Sequence, residues 1–83
     1  MLEVENRTDS VLVILDTRGG RDVKVVSAPP GRTSGVPLAV VDDNGCIVGA
    51  GYVAVDTTGR RTQPRKICDR DVWTLTTQDF SSR

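Results

Sequence analysis

An all-β fold is what this sequence predicts: about seven short antiparallel strands in a two-sheet sandwich, with a small closed barrel as the alternative. Three observations predict it. The 83 residues include 13 Val and 9 Thr, whose Cβ branching suits a pleated surface better than a helix. No segment sustains an apolar repeat at i, i+3, i+4, i+7. Clusters of Gly, Pro, Asn and Asp recur at short, fairly even spacing, the pattern of strands joined by turns. The length fits one domain, residues 1–83, near the lower limit for an independent core.

The first strand is residues 2–6, where Leu2 and Val4 alternate with Glu3 and Glu5, as in a half-exposed edge strand. Residues 7–10 form a polar turn. The apolar run 11–15 reads as a central strand covered on both faces. The two glycines in residues 17–20 admit positive φ and mark a turn. A strand over 21–28 ends at Pro29-Pro30-Gly31, because proline donates no ladder hydrogen bond. The next strand is 36–41, weakened at its start by Pro37. Asn44-Gly45 between apolar runs predicts a two-residue hairpin loop. A long strand over 46–55 follows, interrupted by Gly49 and Gly51, and returns over 60–67, broken by Pro64. After a polar turn at 68–71, the last strand is 72–76. Residues 78–83 read as a loose tail with only Phe80 to hold it.

The two cysteines flank the 46–67 hairpin. A turn centred near Thr57 puts Cys46 opposite Cys68, at a cross-strand separation close to what a disulfide needs. The same register sets Pro64 opposite Ala50, a ladder-breaking feature on both strands. A structural disulfide is the expectation, contributing about 3 kcal/mol by loop closure. Two reduced, buried thiols are the alternative. The spacing is not the CxxC of a redox motif.

Composition excludes several functions. With no His, the usual imidazole ligand and general base are missing, and Ser10, Ser27 and Ser34 have no partner for a Ser-His triad. Two Cys do not make a four-ligand zinc site. No phosphate-cradling glycine motif is present, and no apolar run is long enough to span a membrane. No enzyme, no cofactor and no metal site is expected. Asp42, Asp43 and Asn44 resemble an oxygen-rich cation loop, but the hairpin turn explains them as well. Asn6-Arg7-Thr8 matches a glycosylation sequon. Trp73 reads as a core residue, whereas Tyr52 reads as either structural or functional.

The zero net charge conceals a segregation. Arg60, Arg61, Arg65, Lys66 and Arg70 stand against Asp69 in one segment. Asp42, Asp43 and Asp56 stand without a base in residues 33–59. The basic stretch is either a grip for phosphate or carboxylate or a charged strand face that keeps an edge from pairing.

The segments Val4-Glu5-Asn6-Arg7-Thr8, Ala28-Pro29-Pro30-Gly31, Gly45-Cys46, Ala54-Val55-Asp56 and Cys68-Asp69-Arg70-Asp71-Val72-Trp73-Thr74-Leu75-Thr76 together resemble small exported β-sandwich domains of high-GC bacteria. Such domains occur in lipoproteins or as uncharacterised proteins. The resemblance implies an immunoglobulin-like sandwich that is secreted or held in the cell envelope, and it carries over no catalytic residue. No charged leader with an apolar core opens the chain, so either there is no signal peptide or it was removed and Met1 added.

The leading functional expectation is a non-enzymatic module that binds a protein or cell-envelope partner. It would use the loops 17–20 and 29–35, with Arg32, or the edge strand 60–66 with Arg60, Arg61, Arg65 and Lys66. One alternative is a small barrel binding nucleic acid through residues 60–70. Another is a protease inhibitor presenting Pro29-Pro30-Gly31-Arg32. An exposed strand such as 2–6 leaves the oligomeric state open.

Overall fold

The computed structural model describes residues 1–17, 20–38, 41–48 and 51–80. Six strands are present among them: β1 (Leu2–Asn6), β2 (Leu12–Asp16), β3 (Val23–Ala28), β4 (Thr33–Val36), β5 (Tyr52–Val55) and β6 (Val72–Leu75). A single 3-10 turn, Thr77–Phe80, follows β6. Sheet A has the order β4-β1-β6 and sheet B the order β3-β2-β5. Two separate three-stranded sheets with open edges make a sandwich, and the closed-barrel alternative is set aside. No described helix is long and apolar enough to cross a membrane.

The alternation read from β1 is the alternation observed: Leu2, Val4 and Asn6 are buried, while Glu3 and Glu5 face out. Its position is not the one expected, since β1 lies at the centre of sheet A. Nor is every pair antiparallel. β1 runs parallel to β6, with Glu3 beside Val72 and Asn6 beside Leu75. The two strands come from opposite ends of the chain, so no tight turn constrains their relative direction.

β2 is central in sheet B as expected, and its cover is unequal. Leu12, Ile14 and Asp16 face the core, whereas Val13 and Leu15 are half-buried on the outer face. There they pair with Val55 and Val53 of β5. The strand expected over 36–41 lies instead at Thr33–Val36. Pro37 ends it, because a residue without an N–H closes a strand more readily than it opens one. Residues 78–80 are not loose, since they belong to the 3-10 turn and bury Phe80 to 3% exposure. Residues 81–83 lie outside the described residues, as do Arg18 and Gly19 of the loop 17–20.

The hairpin at Asn44-Gly45 has a three-residue loop, with Val41 paired to Ile47. Asp42 is the reason. Its Oδ1 accepts the N–H groups of Asn44 (2.9 Å) and Cys46 (3.1 Å), and Gly45 takes φ 78°, a type I turn closed by a left-handed glycine. Fourteen positions later the turn recurs. Asp56 Oδ1 accepts from Thr58 and Arg60 at 2.9 Å each, and Gly59 has φ 90°.

The expected long strands 46–55 and 60–67 are mostly absent. Only β5 is regular, and residues 60–67 join it through isolated bridges at Val55–Arg61 and Tyr52–Arg65. Beyond Tyr52, Gly51 crosses the opposite chain with φ 123°, and a Cβ there would stand 2.5 Å from the Arg65 carbonyl oxygen. Only glycine lets two backbones pass so closely. The Pro64–Ala50 pairing falls on Ala50, outside the described residues.

Cys46 and Cys68 nevertheless pair and form a disulfide. The register that placed them together does not run the length of the hairpin. The turn centres on Thr58 rather than Thr57, since Val55 faces Arg61. From Tyr52 back to Ile47 one strand takes five steps while its partner takes two, from Arg65 to Ile67. Between Val55 and Tyr52 the return strand takes one extra step, and beyond Tyr52 the first strand takes three; together these offset the displaced turn, so the cysteines still face each other.

Candidate functional site

The two lateral sides of the sandwich differ in how they are closed. On one side β3 turns into β4 through Pro29-Pro30-Gly31, and Asn6 holds that corner. Asn6 is 0% exposed. Its Nδ2 donates to the Ser10 carbonyl (2.8 Å) and the Ala28 carbonyl (2.9 Å). Its Oδ1 accepts from the Thr8 N–H (2.9 Å) and hydroxyl (2.7 Å). Its backbone N–H reaches the Arg32 carbonyl, and its carbonyl accepts from the Gly31 N–H at 2.8 Å. The sequon at Asn6 is therefore a structural anchor: both amide hydrogens that glycosylation would need are engaged inside the fold.

On the other side, residues 61–66 lie along the edge of sheet B and β6 along the edge of sheet A. Between them runs a groove of about 470 Å³, lined by Thr62, Pro64, Arg65, Lys66, Trp73 and Leu75 among others. Trp73 and Leu75 are the inward-facing residues of β6. The Arg65 guanidinium sits over the Trp73 ring, 6.0 Å from its centroid, at the outer limit of a cation–π contact.

The basic residues separate into two kinds. Arg60 is folded back, its Nε donating to Asp56 Oδ2 and to Thr58 Oγ1, each at 3.1 Å. Arg61 reaches Asp22 with two nitrogens, at 2.8 and 3.4 Å. That contact raises the Arg61 pKa and lowers that of Asp22. Arg65 and Lys66 are exposed and line the groove. Arg32 lies on the other lateral side, at the β3–β4 corner, and is not brought together with them. Its carbonyl is bonded to Asn6 and the next residue, Thr33, already pairs with Glu5. The main chain after Arg32 is thus part of sheet A.

The carboxylates of this region serve the turns. The Asp42 pKa is lowered by the Cys46 and Asn44 N–H groups, and that of Asp56 first by the Thr58 hydroxyl. Among the described residues no group of three or more Cys, Asp or Glu is placed to hold a metal ion. Tyr52 and Trp73 are both in the core.

Sequence reasoning reached Arg65 and Lys66 by charge, but not Trp73, Leu75 or the groove. The basic run was visible, whereas the break between sheet A and the segment beside it depends on bridges that no local pattern reveals. Comparison with protein-family models, curated proteins and solved structures returned no match to this chain.

Proposed function

We infer that the chain is a non-enzymatic interaction module, working outside the reducing cytoplasm, whose binding surface is the open edge between residues 62–66 and β6. The observation that carries this reading is the groove itself. It sets two exposed cations, Arg65 and Lys66, beside exposed Pro64 and the buried Trp73 and Leu75. Binding sites combine apolar area with a few placed polar groups in this way. The export part rests on the Cys46–Cys68 disulfide, since such bonds persist in oxidising compartments.

The alternatives find less support. Arg60 and Arg61 are engaged with Asp56 and Asp22, which halves the basic patch offered to nucleic acid. Trp73 is 4% exposed and presents no stacking platform. The main chain at Arg32 is engaged in the sheet, while an inhibitory loop needs its backbone open to the protease.

Selection of a random-peptide library on the oxidised protein tests the reading. The expected result is binders whose amide chemical-shift changes fall on residues 62–66 and 72–75. Failure to enrich any peptide, or footprints confined to residues 29–35, would overturn it.

A further inference from the structure

We propose that sheet A is completed by a strand from another molecule, an extended acidic peptide that pairs with the outer edge of β6 and sets a carboxylate against Arg65 and Lys66. This rests on the interaction-module reading and names the partner the module takes.

The layers of the sandwich are unequal. Sheet B continues past β5 into the bridged segment 61–65. Among the described residues no strand follows β6 in sheet A. The groove lies at that step, lined by Thr62, Pro64 and Arg65 on one side and by Trp73 and Leu75 of β6 on the other.

The backbone of β6 is set for pairing. The Asp71 carbonyl accepts from Glu3 at 2.9 Å and the Leu75 carbonyl from Arg7 at 2.8 Å. Odd-numbered residues therefore turn their polar groups toward β1. By the alternation of a strand, the N–H and C=O groups of Val72 and Thr74 turn outward. Added strands are held by such main-chain groups, with side chains supplying specificity.

The other exposed edges carry the devices that discourage pairing. β3 has a register shift against Ile14 and Leu15, which leaves Val25 as a bulge, and carries Lys24 beside it. β4 stops at Pro37. β6 has no proline, bulge or lysine, and its Val72 is 54% exposed.

Charge selects the occupant. Arg65 and Lys66 line the groove, and exposed Arg70 lies in the turn entering β6. Asp79 lines the groove with them, its Oδ2 already accepting the Thr76 N–H (2.7 Å) and hydroxyl (3.3 Å), while Asp42 lies near Lys66 and Asp69 near Arg70. An alternating apolar and acidic segment turns its carboxylates into the groove toward Arg65 and Lys66 and its apolar side chains outward beside exposed Val72.

The experiment uses the full oxidised chain and a short synthetic peptide of alternating Val and Glu. Binding should protect the Val72 and Thr74 amides from hydrogen exchange. Methylating the peptide nitrogens that face β6 should weaken binding about tenfold, while methylating the alternate nitrogens leaves it unchanged. Lys in place of Glu should abolish binding, as should the Lys66→Glu variant, whose fold is checked by its thermal melt.

Binding without protection of these two amides, or equal effects of the two methylation patterns, overturns strand addition and leaves the module reading standing if library peptides still bind. An oligothymidylate that binds with the same footprint overturns the choice of a peptide. Concentration-dependent protection of the same amides without any peptide shows a second copy of the chain as the occupant and overturns the acidic-peptide assignment.

Discussion

The side of the sandwich closed by the β3–β4 corner and the side left open at β6 are built on different principles. At the corner, one buried side chain, Asn6, makes four hydrogen bonds to residues 8, 10 and 28. The chain there is tied to itself through short, directional contacts inside the core. At the open side, residues 60–66 are held by isolated bridges and by the long exposed side chains of Arg61 and Arg60 reaching Asp22 and Asp56. The contrast teaches where a small domain places its rigidity. Polar groups buried with full partners specify one arrangement, and a loosely bridged edge remains available as a surface.

Five measurements sharpen or break this contrast. The largest effect is expected at the closed side. Asn6→Ala removes the anchor and strands the buried Ala28 carbonyl, which should cost about 3–4 kcal/mol and lower the melting temperature by roughly 15–25 °C. A loss no larger than that of an exposed substitution would mean the corner is not the anchored side. Gly51→Ala comes next, at about 3 kcal/mol by denaturant titration. Its Cβ would be forced against the Arg65 backbone at positive φ. Reducing the Cys46–Cys68 disulfide, which closes a separation of 22 residues, should cost a similar amount, about 3 kcal/mol. Proton exchange should show the loss concentrated at residues 41–47 and 66–71, with the Asn6 corner still protected.

Acid should act on the turns. Asp42 and Asp56 titrate below their ordinary range in the folded chain. Their contribution is therefore complete above the unfolded carboxylate pKa of about 4 and is lost as pH falls through the lower folded values. Melting temperature should be level from about pH 5 to 7 and fall below about pH 4. An Asp56→Asn variant should flatten part of that fall. The smallest effect is expected from Arg61→Ala, whose half-exposed pairing with Asp22 is worth about 0.5 kcal/mol. A loss several times larger would show that the open edge is held more firmly than its geometry indicates.

The parts of the fold legible in the sequence were those encoded within a few residues. The alternation of Leu2 and Val4 and the last strand with Trp73 and Leu75 announce which side faces the core, and the run around Leu12 to Leu15 announces a central strand, though not its unequal cover. The Cys46–Cys68 pairing was legible too, although its register holds only because the strand irregularities offset the displaced turn. What could not be read depended on distant partners. The parallel union of β1 with β6 joins residues about seventy apart and leaves no turn as a sign. The place of Thr33–Val36 before Pro37 was decided by its pairing with β1 rather than by local apolarity. Asn6 looked like a modification signal because the carbonyls it binds are remote in sequence. At the candidate site, Arg65 and Lys66 stood out by charge, whereas the groove exists only once β6 and residues 62–66 are brought side by side.

The pairing of β1 with β6 also governs when this domain can exist at all. The second strand to pair with β1 lies about seventy residues after it, so sheet A lacks a third of its strands until residues 72–75 have left the ribosome. Until then Leu2 and Val4 have no complete core to enter. At about 5–20 residues per second, the chain spends seconds as an unfinished polymer.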